Sequence, residues 1–542
     1  MTVLSSRTVW QVAWRPLLAL VAGVGLVMSF PPIGLPWLAP LAIAAFVAVI
    51  VTSSLRAAIG YSVITGLTFS LVLLQWLVTL GPDAWLLLSV FLTAWFVLVG
   101  IGMWAVRALS FWPLWVGCVW VLQESLRDRV PWGGFPWGRL AFSQANAPDV
   151  AYASVGGAPL VTFVVALTGT MLCWVALTLH KLRAKPQDAA PKPPVALLPA
   201  VAALAIGIWC AGAVIPRPVA GQSAAGPAEA IVAVVQGSVP RTGLDALGQR
   251  RAVLDNHVKA TIELARQVRL GIKPQPELVV WPENSSDLDP LNTPDAAQQI
   301  RIAAEAIGVP ILVGAVTRDQ NQPNQRWNIG LVWDPKTGPG EFYVKRHLVP
   351  FGEFIPARSL VTRVITRYER VPFDFSPGTT AGVLTVGPAR LGDVICFEVA
   401  DDGIVRDAVL GGGRILAVQT NNATYTFRGL GGTAQPEQQA AMATLRAVEH
   451  ARTMVVAATS GITTVIAPDG TAMATAPLFE QAQLVNTVPL RDSLTIADRV
   501  GAWPEGLLAA GGLLAIVAGA VHARRRSPDR VEVPSESGKV HS

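Results

Sequence analysis

A multi-span α-helical membrane domain joined to a water-exposed α/β domain is the fold predicted for this chain, and three observations predict it. Over 542 residues only 14% are charged and the mean hydropathy is +0.45, too apolar for a soluble chain of that length. Apolar runs separated by short connectors fill the first 215 residues, and one more follows near the end. Between them the composition changes to short β-branched runs alternating with amphipathic helical patterns.

The apolar runs lie at about 14–30, 35–51, 58–80, 84–106, 111–123, 158–180, 195–215 and 506–521. Crossing a bilayer takes roughly 20 helical residues, and 111–123 is short of that. Pro31-Pro32 lacks the small-residue pattern of a signal-peptide cleavage site, so the first run reads as a retained anchor. Basic residues resist translocation and mark the cytoplasmic side. Arg7, Arg15, Arg56, Arg107, Lys181, Arg183, Lys185, Lys192 and Arg524 to Arg526 fall on one side of the eight-span arrangement, whereas connectors 31–34 and 81–83 carry no Lys or Arg. Arg127, Arg129 and Arg139 are the exception. The expected order is membrane helices over 1–215, an extracytoplasmic catalytic domain over 216–503, a final membrane helix over 504–523 and a disordered tail over 524–542, with both termini cytoplasmic.

The net charge of +6 sits in connectors, without interleaved aromatic residues, which argues for membrane orientation and against nucleic-acid binding. Cys118, Cys173 and Cys210 lie inside apolar runs, leaving Cys396 alone in the polar segment and excluding a disulfide there. No His and Cys cluster has ligand spacing, so neither metal nor cofactor is expected.

Within the polar segment, strands are predicted at 230–236, 278–281, 311–316, 329–333, 394–396, 415–420, 455–459 and 463–467, and helices at 251–269, 296–307, 404–410 and 438–450. Turn residues at 334–338 and at Asp469-Gly470 predict hairpins, so the sheet is mixed. Three polar residues stand at or just beyond strand patterns: Glu283 after Val279-Val280-Trp281-Pro282, Lys345 after Phe342-Tyr343-Val344, and Cys396 after Val394-Ile395. Open α/β sheets place ligands at strand ends. A free thiol is only about a few per cent thiolate at neutral pH; a carboxylate to take its proton and an ammonium to stabilise the developing anion remove that limit. Singly, each residue reads as an ordinary surface carboxylate, a solvated lysine and a buried small hydrophobe.

Together they fall in flanking words that resemble the apolipoprotein N-acyltransferases, membrane-embedded members of the nitrilase (carbon-nitrogen hydrolase) superfamily. The words are Val235-Gln236-Gly237, Trp281-Pro282-Glu283, the run from Tyr343 through Lys345 to Glu353, Val394-Ile395-Cys396-Phe397-Glu398, and Arg446 to Arg452 followed by Thr459-Ser460-Gly461. The resemblance covers nearly the whole chain. It implies a nitrilase-like αββα sandwich with Glu283 as general base, Cys396 as nucleophile and Lys345 as the cation facing the oxyanion, aided by the backbone N–H of Phe397. Glu353 matches a glutamate that holds lysine and base in place, and Glu398 one beside the nucleophile. Gln236, Asn421, Asn422 and Tyr425 are candidate substrate-binding residues. Where the family often shows Ser-Asn-Asp-Ala-Trp, this chain has Thr420-Asn421-Asn422-Ala423-Thr424-Tyr425, so the aromatic residue expected at Thr424 is absent or displaced to Tyr425.

The implied reaction moves the sn-1 acyl chain of a phospholipid onto Cys396 as a thioester, then onto the N-terminal amine of a diacylglyceryl-cysteine lipoprotein, in a bacterial cytoplasmic membrane and with the protein acting as a monomer. Two segments are suited to cover the thioester, 359–368 with its alternating basic and apolar residues and the glycine-rich 428–432. Two other readings compete: a membrane-tethered amidase that hydrolyses a small amide with the same triad, and a transporter with an outer binding module. The transporter needs intramembrane ionisable residues, and the spans offer little beyond Glu124.

Overall fold

Each apolar run folds as a helix in the computed structural model, which describes residues 6–183, 197–224, 226–239, 249–364, 373–426 and 432–526. The first seven are α1 (Ser6–Ser29), α2 (Leu38–Val51), α3 (Leu55–Leu73), α4 (Pro82–Val106), α5 (Trp112–Arg127), α6 (Ala153–Arg183) and α7 (Leu197–Ala211); the C-terminal helix is Trp503–Arg526. Among the described residues five helical stretches are long and apolar enough to cross a membrane: Leu55–Leu73, Pro82–Val106, Pro148–Arg183, Leu197–Val214 and Trp503–Arg525. The apolar stretches Trp14–Ser29 and Leu38–Val51 are shorter. α5, with 16 residues, is short as its sequence predicts. Lys185, Lys192 and the predicted tail from residue 527 onward lie outside the described residues.

The polar segment forms two six-stranded sheets. Its strands are β1 (Glu229–Gln236), β2 (Leu278–Val280), β3 (Ile311–Arg318), β4 (Arg326–Asp334), β5 (Gly338–Val344), β6 (Val383–Val386), β7 (Ala389–Ile395), β8 (Ile415–Thr420), β9 (Met454–Ala458), β10 (Thr464–Ile466), β11 (Ala472–Thr475) and β12 (Ala482–Pro489). Its helices include α8 (Arg250–Arg269), α9 (Pro294–Ile307), α10 (Arg358–Val364), α11 (Asp402–Leu410) and α12 (Ala434–His450). The orders are β12-β1-β2-β3-β4-β5 and β11-β10-β9-β8-β7-β6, each with parallel and antiparallel neighbours.

Strand residues alternate between two faces, and the alternation builds the layers. Val232, Val234, Val280 and Leu312 meet Leu391, Ile395, Ile415 and Ala417 between the sheets. Ala233, Val235, Val279 and Val313 face the other way, onto Leu254, Val258, Ile300 and Ala304 of α8 and α9. On the second sheet, Val394, Leu416 and Val456 face Val405, Met442 and Leu445 of α11 and α12, in a core that continues into Phe142, Val150 and Val161 of the helical domain. The predicted αββα sandwich is therefore present, with its α12 layer sunk into the membrane domain.

The arginines that break the connector pattern are all in ion pairs. Arg129 Nη2 lies 2.6 Å from Glu505 Oε2 of the C-terminal helix, and Arg127 Nε 3.4 Å from Asp128 Oδ1. Buried Arg139 reaches 2.7 Å to Asp402 Oδ1 at the start of α11, an oxygen that Arg446 Nη2 of α12 also meets at 2.6 Å. Of these, the Arg139 pair joins the helical domain to the α/β domain, while the Arg129 pair ties the connector to the C-terminal helix. Glu124 is equally engaged: its carboxylate accepts from Trp120 Nε1 (3.1 Å), Leu140 N (2.9 Å) and Thr162 Oγ1 (2.8 Å).

Burial alone raises the Asp402 carboxyl, but Arg139 and Arg446 outweigh it and hold it below the ordinary carboxylate range. A group depressed in this way stabilises the fold above its unfolded pKa, about 4, and loses that contribution as pH falls through the folded value. Asp402→Asn is therefore expected to cost about 3–5 kcal/mol at neutral pH. It should also flatten the acid limb of a thermal-unfolding series in detergent. An unchanged midpoint and acid limb would count against the domain-joining role.

Candidate active site

Cys396 terminates β7 and opens a short 3-10 turn, Cys396–Ala400. Its φ is +53°, a left-handed conformation that costs a side-chain-bearing residue on the order of 1–2 kcal/mol. Glu398 holds this elbow. Oε2 accepts from Ile395 N (2.8 Å), and Oε1 accepts from Arg346 N (2.6 Å), His347 N (3.0 Å) and Tyr343 OH (2.9 Å). The glutamate beside the nucleophile thus ties the thiol's turn to the segment that carries Lys345. Burial raises its carboxyl above the ordinary range, and the backbone donors oppose that.

Lys345 directly follows β5, and its Nζ lies 2.9 Å from Glu353 Oε1 and 3.2 Å from Glu283 Oε1. Asn328 on β4 bridges the same two oxygens through Nδ2, at 2.9 and 2.8 Å. The other oxygen of Glu283 accepts from Asn421 N at 2.9 Å. Burial pulls the Lys345 ammonium down, but Glu283 and Glu353 outweigh it and keep it well above the ordinary lysine range. It stays a cation, with two of its three N–H groups engaged and one left for a substrate oxyanion.

The thiol is in the opposite state. Burial and the Glu283 charge push Cys396 up to about 12, against the pull of Lys345 and the Thr420 hydroxyl. Both burial and the neighbouring carboxylate favour the neutral thiol over the thiolate. The Thr420 hydroxyl lies 3.3 Å from Sγ and 2.8 Å from Gln439 Oε1, and Gln439 Nε2 lies 3.7 Å from Sγ.

The Phe397 amide stands at the start of the 3-10 turn, where the first N–H groups find no partner within the turn. Its ring stacks on Trp137 (centroids 6.2 Å, planes 5° apart) and meets Phe135 at 5.8 Å and His347 at 5.2 Å. Trp137 and Trp76 of the helical domain both donate to Gln438 Oε1 of α12, at 2.7 and 3.3 Å. Tyr425 packs edge-on against Trp76 at 5.1 Å. Tyr425, one position after Thr424, thus stands against the helical domain.

Of the residues predicted for substrate binding, Asn421 and Tyr425 border the triad. Asn422 Nδ2 is bonded to Gln435 and Gln439, each at 2.7 Å, and Gln236 Nε2 to the Pro477 and Glu480 carbonyls, each at 2.8 Å. Both act as internal braces, and none of Gln236's bonds reaches the triad. Asn328, Thr420, Gln439, Trp76 and Trp137 were not singled out from sequence; the one available signal was a buried-strand pattern, 326–334, interrupted by Asn328. Of the two proposed covers, 365–368 and 428–431 lie outside the described residues. An open cleft of about 760 Å³ between the α5–α6 connection and the α/β domain is lined by Trp132, Arg346, His347 and Asp401 but by none of the triad.

Two family models match the chain: "Apolipoprotein N-acyltransferase N-terminal domain" over residues 22–171 and "Carbon-nitrogen hydrolase" over residues 231–496. The apolipoprotein N-acyltransferase of Mycolicibacterium smegmatis is 41% identical over 518 residues, covering 94% of this chain and 86% of that protein. That of Geobacter metallireducens is 27% identical, covering 90% and 91%. Among solved structures, an amidase from Nesterenkonia sp. AN1 aligns with 48% of this chain and 93% of its own at 19% identity and a TM-score of 0.35.

Proposed function

Because the chain belongs to the apolipoprotein N-acyltransferase family, we propose that it transfers a phospholipid's sn-1 acyl chain, through a thioester on Cys396, to the N-terminal amine of diacylglyceryl-cysteine lipoproteins. Glu283 takes the thiol proton as Sγ attacks the ester carbonyl. Lys345 Nζ and the Phe397 amide face the oxyanion. Collapse expels the lysophospholipid alkoxide, which leaves with the proton from Glu283. The lipoprotein amine then attacks the thioester, Glu283 takes its proton, and the thiol is restored with that proton as the amide forms.

The observation that carries this reading is the position of the triad. It sits where a nitrilase-like sandwich is fused, through α12 and Phe397, to apolar helices. Drawing a long acyl chain into water would cost about 0.8 kcal/mol per methylene, on the order of 10 kcal/mol in all. A site at the lipid surface avoids that cost, and a small-amide hydrolase has no use for it. We place membrane helices over 1–215 and 504–523 and the catalytic domain, 216–503, outside the cytoplasmic membrane of a bacterium with both termini inside, the protein acting as a single chain. The distribution of basic residues among the connectors supports that placement.

The test is transfer in proteoliposomes containing acyl-labelled phospholipid and a synthetic diacylglyceryl-cysteine peptide with a free amine. Label is expected to move to the peptide amine. Release of ammonia from small amides, with no label transferred, would favour the amidase instead.

A further inference from the structure

Between the sheets, near the triad, lies a polar pair that the mechanism does not use. Asp393 and Gln419 sit on neighbouring strands β7 and β8, in a register that pairs Asp393 with Ala417 and Ile395 with Gln419, so both point to the inner face. Each is fully buried. Opposite them on β4 is Gly330, and Asp393 Oδ2 and Gln419 Oε1 both occupy the space where a Cβ at Gly330 would stand. Gln419 Nε2 donates to the Trp281 carbonyl at 2.6 Å. That bond fixes the amide's orientation: a flipped Gln419 would set oxygen against oxygen there. Its Oε1 therefore faces Asp393; that oxygen has no hydrogen-bond partner among the described residues, and the Asp393 carboxyl has none beyond a marginal approach of the Val394 N–H.

Two acceptors converging in a buried space with no protein donor between them are unstable, and a proton on one resolves the conflict. We propose that Asp393 is a neutral carboxylic acid that donates to Gln419 Oε1 and so acts as a positioning residue for the base and the nucleophile. The groups facing it agree. Tyr343 from β5, Glu398 from the turn after β7 and Glu283 from the end of β2 are acids, and burial together with Glu398 and Glu283 holds the Asp393 carboxyl well above the ordinary range. Gln419 is anchored at one end to Trp281, two residues before Glu283. It is followed directly by Thr420, whose hydroxyl is 3.3 Å from the Cys396 sulfur, and by Asn421, whose N–H holds Glu283 at 2.9 Å. The donated proton therefore locks a strut between the strand that precedes the thiol and the strand that precedes the base.

The functional consequence rests on the acyl-transfer reading, but the protonation state does not, so the two can fail separately. Infrared difference spectra of the full-length protein in detergent near neutral pH compare wild type with Asp393→Asn. The expected difference is loss of a protonated carboxylic-acid carbonyl band; loss of an ionised-carboxylate band would overturn the proposal. In transfer assays Asp393→Asn, whose amide can donate to Gln419, should stay within about threefold of wild-type kcat. Asp393→Val should fall by about tenfold or more with the phospholipid KM unchanged, since the acceptor is left without a donor. An Asn variant as impaired as the Val variant would refute the positioning role, and should Val not fold, the infrared and Asn measurements decide alone.

Discussion

Glu283→Gln is expected to lower turnover by about 10²- to 10⁴-fold while making Cys396 easier to alkylate at neutral pH. The two effects have opposite signs because Glu283 has two roles in the proposed reaction. As a base it accepts the proton during attack, and glutamine cannot. As a charge it opposes ionisation of the thiol, which burial and Glu283 together push up to about 12. With that charge gone Lys345 acts on the sulfur with less opposition, the thiol pKa falls, and the thiolate fraction at a given pH rises. In wild type, iodoacetamide labelling of the Cys396 peptide should climb through about pH 10 without a plateau, as expected for a thiol whose pKa lies higher. In the variant it should exceed wild type near neutral pH. A variant both inactive and less reactive would mean that Glu283 is needed only to shape the site.

Lys345→Met should damage stability and chemistry together, by separable routes. Removing the ammonium leaves Glu283 Oε1 and Glu353 Oε1 sharing only the Asn328 amide. Breaking a buried pair in this way costs about 3–5 kcal/mol. Loss of an oxyanion donor should separately slow acylation by about 10²- to 10³-fold. Adding Glu353→Gln to Lys345→Met removes one of the stranded charges. Thermal unfolding in detergent should then recover part of the loss while acylation does not. Recovery of both would show that Lys345 contributes only to folding.

How far the sequence was readable follows from burial. The eight strands expected from it are the eight interior strands, where both faces are covered and apolar runs are strong. The other four, β5, β6, β11 and β12, are the four sheet edges; of these the sequence marks β5 only by Phe342-Tyr343-Val344 and the turn at 334–338, and β11 only by the turn at Asp469-Gly470. Edges are half solvated and tolerate residues such as Pro339, so their apolar signal is weak. Glu283, Lys345 and Cys396 were legible because each follows an apolar strand in a specific word. Asn328, Thr420 and Gln439 were not, because a single polar residue in an apolar element has no distinctive neighbourhood until the sheets are stacked. The aromatic wall of Trp76, Trp137 and Tyr425 joins residues separated by more of the chain than any local pattern spans. Arg127, Arg129 and Arg139, which do not fit the charge rule, are each in an ion pair, and a pair such as Arg139 to Asp402 is not revealed by sequence spacing.

The account depends on the Cys396 sulfur carrying the acyl group, and mass spectrometry of the Cys396 peptide after exposure to phospholipid tests that most directly. Wild type should show a hydroxylamine-labile adduct of acyl-chain mass on Cys396, absent from Cys396→Ala and Glu283→Gln. An adduct on a different residue, or transfer to the lipoprotein amine at the wild-type rate by Cys396→Ala, would contradict it.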